Sequence, residues 1–352
     1  MLKPLAPAIR LGSLLASAFW LLAASARADL VWTPQTGWRI EGGVVSGLTG
    51  AQGRNALELM NKARSAEEDK SLLSAARSYE KVAHRYSNSF YAPEALYRAA
   101  RVRLARKQYS NAFNDFQEVI TRYPNTKRFN EIIGEQYRLA GAVLDGARER
   151  SFWGLLPGFP ARERAIGYFE NVLANAPHSD YAPLALMNIA RGHQRLGNTP
   201  EAIDALDRMI NTYQQSLLTP DAYLKLAQAH ASLVEGPYYT QISTRDAVTY
   251  FEDFMILFPN EPKVGLAEKG VSDMKSVLAE SKMKMADFYF YKRANYVAAR
   301  ILYNEAITVY PESEVARRAK LRLADVETKA AGKPLSNAAP ATQPKKKRYW
   351  LF

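Results

Sequence analysis

Residues 96 to 124, LYRAARVRLARKQYSNAFNDFQEVITRYP, hold the pattern that decides the fold. Small and large side chains recur there at the intervals of a helical hairpin of about 34 residues. Ala100 and Ala112 are small enough to let two antiparallel helices approach closely. Phe116 can fill the gap between neighbouring hairpins, and Pro124 ends the second helix. Because one hairpin cannot bury its own apolar face, further copies are expected.

The same spacing recurs along the chain and is that of the tetratricopeptide repeat. A first copy is predicted over residues 56 to 86, a third is divided by an insertion at residues 149 to 164, and a sixth ends at Pro311. The charged segment from Glu314 to Ala331 is predicted to be an amphipathic helix that closes the end. The sequence therefore predicts an all-α fold over residues 54 to 331, a tandem tetratricopeptide-repeat superhelix of about six hairpins with a C-terminal capping helix.

Residues 1 to 28 are predicted to form a cleavable secretory signal peptide. They have a basic start, an apolar run from Leu11 to Ala24, and small residues just before Asp29. The alternative is an uncleaved membrane anchor, but the apolar run is short against the ~20 residues that span a bilayer. Export is therefore favoured.

Two segments do not follow the repeat pattern. Residues 29 to 53 form a glycine-rich extension with Trp32 and Trp38, which is predicted not to be helical. This extension either adds a strand to the sheet of a partner or folds back on the first repeat, and fold-back is favoured because exposed tryptophans reduce solubility. The insertion at residues 149 to 164 has an apolar tip around Phe152, which either packs on the repeats or contacts a partner.

Composition and motifs give no support for an enzyme. No cysteine occurs, which excludes disulfides, thiolate metal sites, cysteine nucleophiles and a lipidated N-terminal cysteine. The net charge of +12 is concentrated partly at the two ends, so the body of the chain is only mildly basic and binding to nucleic acid is not expected. No metal, cofactor or catalytic residue is predicted. The four histidines lack metal-ligand spacing: His84, His178, His193 and His230.

A peptide-binding groove is the favoured functional site. Positions 5 and 9 of the first helix of each hairpin are one turn apart and are expected to face this groove together. In three repeats an apolar residue is followed four positions later by arginine: Met60 and Arg64, Tyr97 and Arg101, and Met187 and Arg191. This pattern suits an extended peptide with apolar side chains and a carboxylate. The alternative is that arginine is simply a common residue on helix surfaces and that the three matches arose by chance.

The chain ends in a predicted disordered linker and a basic and aromatic tail, together residues 332 to 352. The tail has the composition of a peripheral anchor to a membrane or a partner protein. A tail that is merely solvated is the alternative. The predicted anchor residues are Lys345, Lys346, Lys347, Arg348, Tyr349 and Trp350.

The chain also resembles a known family. Four features carry the resemblance: the exported series of tetratricopeptide hairpins, the insertion SFWGLLPGFP, the segment RDAVTYFEDFMILFPNEP and the segment VLAESKMKMADFYFYKRANYVAARILYNEAITVYPESEVARRAKLRL. These features are similar to the BamD family of outer-membrane assembly factors. The similarity is strongest from about Arg245 to Leu323 and is weaker over the first four repeats.

The resemblance implies a periplasmic, non-enzymatic subunit of the machinery that assembles β-barrel proteins at the inner face of the outer membrane. In this family the first repeats receive unfolded outer-membrane proteins and the last repeats dock on the barrel subunit BamA. By resemblance, Tyr97 and Arg101 would lie on the client side, and Tyr296, Arg300 and Asn304 on the docking side. Members of the family usually carry a lipidated cysteine and five repeats, whereas this chain has no cysteine and about six repeats.

A different exported scaffold of the cell envelope, of the Tol-Pal type, is the alternative interpretation. That family normally carries an N-terminal coiled coil. Residues 29 to 53 show no heptad pattern, which favours the barrel-assembly interpretation.

Overall fold

The computed structural model describes residues 29–41, 50–148, 150–151, 156–157 and 162–332. The predicted signal peptide, the apolar tip of the insertion around Phe152 and the predicted tail at residues 345–352 lie outside these described residues. The chain begins with a β-hairpin, Asp29–Thr33 (β1) and Gly37–Glu41 (β2). A second, two-residue pair, Arg150–Ser151 (β3) and Leu156–Pro157 (β4), lies in the insertion.

Thirteen α-helices make up most of the described chain. Before the insertion they are Gly50–Glu68 (α1), Leu72–Arg85 (α2), Ala92–Ala105 (α3), Tyr109–Arg122 (α4) and Phe129–Leu144 (α5). The next four are Arg162–Asn175 (α6), Tyr181–Leu196 (α7), Thr199–Thr212 (α8) and Thr219–Ser232 (α9). The last four are Ile242–Leu257 (α10), Val264–Asp287 (α11), Tyr296–Val309 (α12) and Glu314–Ala330 (α13). A π-helical turn, Phe288–Lys292, continues α11.

The predicted fold class, an all-α tetratricopeptide-repeat protein, is confirmed. The small residues that the pattern requires at the helix contacts have no exposed surface, as Ala63 and Ala75 show in the first repeat and Ala100 and Ala112 in the second. A large residue at the repeat position of Phe116 fills the space that these alanines leave. Tyr79, Phe116, Phe169 and Tyr303 occupy this position in different repeats, and all four are completely buried.

The described residues fall into two compact units that divide within α7, between Asn188 and Ile189. In the first unit, each of the helices α1 to α4 packs on the next, and α5 packs on α6. Stacking of Phe113 on Tyr168, with ring centroids 3.9 Å apart, connects α4 with α6. The second unit contains one buried cluster around Phe251, between α9, α10 and α11, and another from α11 to α13.

The N-terminal extension differs in part from its prediction. Residues 29–41 are not helical, as expected, but Gly50–Gly53 form the first turn of α1, so the prediction of a non-helical segment up to Gly53 is wrong there. The buried stripe of α1 begins nearby at Ala56, and this packing outweighs the low helix propensity of the two glycines. Fold-back of the extension is confirmed, because β2 packs on α1.

None of the helices that the structure describes combines the length and the apolar character needed to cross a membrane.

Candidate functional site

The pair Tyr97 and Arg101, predicted from repeat positions 5 and 9, lies together on α3. Arg101 Nη1 donates a hydrogen bond of 2.9 Å to the Tyr97 hydroxyl oxygen. The Tyr97 hydroxyl in turn donates to the carboxylate of Glu131 on α5. Burial and the bond to Glu131 raise the pKa of Tyr97, so the phenol remains neutral. The Arg101 side chain is 49% exposed, so this guanidinium group is accessible to a ligand.

The charged partners of this pair were not predicted from the sequence. Arg128, at the start of α5, contacts Glu94 through Nε at 2.7 Å and Glu131 through Nη1 at 2.7 Å. Its guanidinium group also lies 4.5 Å from the centroid of the Tyr97 ring, a cation–π contact. The bonded pairs Glu94–Arg128 and Tyr97–Glu131 are each separated by 34 residues, the length of one repeat. A search for complementary residues one repeat apart would have found both pairs.

Carboxylates offset the positive charge of this surface. Arg101 Nη1 is 3.8 Å from Glu131 and 3.9 Å from Glu135, and Arg128 pairs with Glu94 and Glu131. Burial alone would lower the pKa of Arg128, but its hydrogen bonds to the two glutamates outweigh that effect and raise it. Burial opposes ionisation of Glu131, yet the donors Tyr97 and Arg128 lower its pKa overall. The cluster is therefore a network of paired charges, in which Arg101 has the longest ion-pair distances.

The first predicted pair, Met60 and Arg64, lies on α1, against which the N-terminal hairpin packs. Met60 has no exposed surface, so it is part of the core and cannot contact a ligand in this structure; its expected position in an open groove is corrected here. Arg64 lies beneath the ring of Trp32, with 4.1 Å between its guanidinium carbon and the ring centroid. It also contacts Glu68 at 2.9 Å and Glu67 at 3.4 Å. The extension thus covers the predicted groove position of Arg64 in the first repeat.

The third predicted pair, Met187 and Arg191, lies on α7, and both side chains are partly exposed. Because α7 contains the division between the two units, each residue belongs to a different unit.

The predicted docking residues lie on α12 in the second unit. Arg300 and Asn304 are exposed one turn apart, and Tyr296 at the start of the helix is half-buried. The apolar side chains of Val297 and Ile301 are exposed on the same helix, at positions adjacent to Tyr296 and Arg300. This helix therefore presents polar and apolar groups together, a composition typical of protein interfaces.

No group of three or more acidic or histidine side chains suited to holding a metal ion occurs in the described part of the chain. His84 lies near Glu80 and Glu118, at 3.9 and 3.8 Å, and His230 stacks on Tyr250. These surroundings are those of packing and surface histidines.

Hairpins of paired helices with small residues at their contacts define a tetratricopeptide-repeat protein. Two bonded pairs separated by one repeat length agree with this class. Residues 94–126 match the family model described as tetratricopeptide repeat, and residues 160–333 match the family model described as outer membrane lipoprotein. Over part of its length the chain is also similar to curated relatives.

Two relatives named outer membrane protein assembly factor BamD come from Xylella fastidiosa, strains 9a5c and Temecula1. Each is 23% identical over 181 residues, which cover 49% of this chain and 62% or 61% of the relative. The chain thus spans about three fifths of the length of the curated relatives that it matches.

Similar solved structures include a tetratricopeptide repeat protein from Parabacteroides merdae, 12% identical with a TM-score of 0.31, covering 78% of this chain and 99% of that one. A thermophilic protein of the same repeat class from Thermus thermophilus is 16% identical with a TM-score of 0.29, covering 63% of this chain and 99% of that one.

Proposed function

We propose that this chain is a non-enzymatic scaffold subunit of the machinery that assembles β-barrel proteins, located in the periplasm at the inner face of the outer membrane. The observation that carries this proposal is the match of residues 160–333 to the outer membrane lipoprotein family, together with the BamD relatives. In this role the first repeats bind unfolded outer-membrane clients, and α12 docks on a BamA-like barrel subunit. The tail at residues 345–352 provides a further contact with membrane or partner.

The client site is centred on Arg101. This arginine is half exposed, and its two carboxylate partners are 3.8 and 3.9 Å away, beyond hydrogen-bond distance. A peptide carboxylate can therefore form a shorter, charge-assisted bond to Arg101 without breaking an existing hydrogen bond between arginine and carboxylate. The client segment that fits is an extended peptide with apolar side chains and a free C-terminal carboxylate.

A peptide titration tests the client site. Fluorescence anisotropy would compare a labelled apolar peptide ending in a free carboxylate with the same peptide amidated at its C-terminus. Arg101→Glu is expected to weaken binding of the carboxylate form about tenfold, since one charge-assisted bond is replaced by repulsion. Arg122→Glu is the matched control, because Arg122 has nearly the same side-chain exposure, 50%, on the second helix of the hairpin. Equal affinity of the wild type and Arg101→Glu would refute the site.

Glu131 provides an opposite test of the same site. Glu131→Gln removes a negative charge that competes for Arg101, so the carboxylate peptide is expected to bind a few times more tightly, because an exposed ion pair contributes about 0.2–1 kcal/mol. The amidated peptide should not respond. Equal improvement for both peptides would show that no carboxylate is recognised at Arg101.

A pull-down from the cell envelope tests the docking side. The full chain is expected to recover a barrel-assembly subunit, and Arg300→Glu on the exposed face of α12 is expected to reduce recovery. Arg317→Glu on α13 is the control, because Arg317 is exposed and pairs only locally with Glu314 among the described residues. Recovery of Tol-Pal components without a barrel subunit would refute the assignment and favour the other scaffold class.

A further inference from the structure

The N-terminal β-hairpin is seated on the helices that carry the proposed client groove. Trp32 and Trp38 face each other across the two strands. The guanidinium group of Arg64 on α1 lies 4.1 Å from the Trp32 ring, and that of Arg98 on α3 lies 5.3 Å from the Trp38 ring. α1 and α3 are the first helices of neighbouring repeats, so the hairpin contacts both of them.

Specific backbone contacts fit the hairpin to α1. The Trp38 backbone N–H donates a hydrogen bond of 2.9 Å to Asn61 Oδ1. Gly37, with φ of +67°, makes the turn into β2 at this point, and an added Cβ would lie 2.7 Å from the same oxygen. Only glycine combines this backbone conformation with this close approach. The sequence of the hairpin is therefore matched to the groove surface.

The surface under the hairpin is continuous with the Tyr97 and Arg101 cluster. Arg98 donates to Glu94 at 2.9 Å, and Glu94 also binds Arg128 at 2.7 Å. Arg128 in turn contacts the Tyr97 ring. A ligand that extends from Arg101 along the groove towards the first repeat therefore meets the hairpin.

Two features make the hairpin displaceable. The indole N–H of Trp38 is buried without a hydrogen-bond acceptor among the residues that the structure describes, which is unfavourable for the docked state. An isolated two-stranded hairpin is also marginally stable in water, so its order depends on contact with α1 and α3. The docked state is specific without being strongly stabilised.

We infer that the hairpin Asp29–Glu41 is an internal ligand of the groove that competes with clients for Arg64 and Arg98. This inference rests on the proposed function, and it places the competition at the two aromatic rings of the hairpin, each of which lies near a guanidinium group. The hairpin shields these arginines until a segment of the same chemistry displaces it.

The test compares the full chain with variants that release the hairpin. Gly37→Ala adds backbone strain and a clash with Asn61, whereas Trp32→Ala combined with Trp38→Ala removes the two rings. Gly146→Ala is the matched control, because Gly146 also has a positive φ but no atom lies within 4 Å of its added Cβ. The probe is a labelled amphipathic peptide that ends in phenylalanine with a free carboxylate.

Both releasing variants are expected to bind the probe about tenfold more tightly than the wild type and the control, since two cation–π contacts no longer compete. A synthetic peptide of residues 29 to 41, added to the double tryptophan variant, should restore the weaker affinity. Binding of the probe with equal or lower affinity in both variants would overturn the inference and leave the client groove standing. Binding to none of the proteins would overturn the proposed client site, and the inference with it.

Discussion

Replacement of Asp115 by asparagine should remove a large part of the pH dependence of folding between about pH 4 and pH 6. Asp115 lies on α4, its side chain is 8% exposed, and it accepts a hydrogen bond from Arg103. Arg103 also binds Glu80 at 2.8 Å. Burial raises the pKa of Asp115 from 3.8 to about 6, and Arg103 offsets this effect only in part.

The size of the effect follows from the shift in pKa. A rise from 3.8 to about 6 is about two units, and each unit corresponds to ~1.4 kcal/mol, so the linked free energy is ~3 kcal/mol. Because the folded state has the higher pKa, it holds the proton more tightly than the unfolded chain. The stabilising contribution is therefore complete below about pH 4 and is lost as the pH rises through about 6.

Urea unfolding of the wild type and Asp115→Asn at pH 4, 5, 6 and 7 measures the contribution of Asp115 protonation to the unfolding free energy. The unfolding free energy of the wild type, minus that of the variant, should fall by ~3 kcal/mol across this range. Other carboxyl groups titrate in both proteins and cancel in the difference. Asp204→Asn is the control, since the Asp204 side chain is 72% exposed. A difference that does not change with pH for Asp115→Asn would refute the reasoning.

Two further predictions concern packing in the second unit. Gly270→Ala should reduce the unfolding free energy by about 1–3 kcal/mol, because the added Cβ would lie 2.5 Å from the Phe251 ring. Gly265→Ala on the same helix is the control: its added Cβ meets no atom within 4 Å, so this variant should be neutral or up to ~1 kcal/mol more stable. Equal midpoints for these two variants in urea would contradict the close approach of α11 to α10. Tyr303→Phe should lower the unfolding free energy by about 1–3 kcal/mol, because Asp287 would lose the hydroxyl donor that lies 2.5 Å away. Thermal unfolding measures this loss, and a melting temperature equal to that of the wild type would contradict it.

The helices and their contacts could be predicted because the information is local. Ala63 and Ala75 are small residues at fixed positions of one hairpin, and a period near 3.6 defines the face that each helix buries. The Glu94–Arg128 pair is also periodic, at one repeat length, but comparison of equivalent positions between repeats is needed to detect it.

Other parts of the site have no periodic signal. The contact between Trp32 and Arg64 joins a β-strand to a helix, two segments with different periods, so neither pattern predicts the other. The π-helical turn Phe288–Lys292 follows α11 without a glycine or a proline that would mark a change in helix type. Tertiary packing determines both features.

The arginines at position 9 show why a recurring residue does not imply a recurring role. Arg64 finds its carboxylates, Glu67 and Glu68, on its own helix, and its remaining face lies against Trp32. Arg101 instead faces carboxylates of the following repeat, at distances too long for hydrogen bonds. An arginine that is hydrogen-bonded to carboxylates on its own helix has a fixed guanidinium group, on which an aromatic ring can stack. An arginine whose carboxylates are farther away can still form a hydrogen bond to an additional anion. We therefore propose that Arg64 provides an aromatic subsite of the client groove and that Arg101 provides a carboxylate subsite.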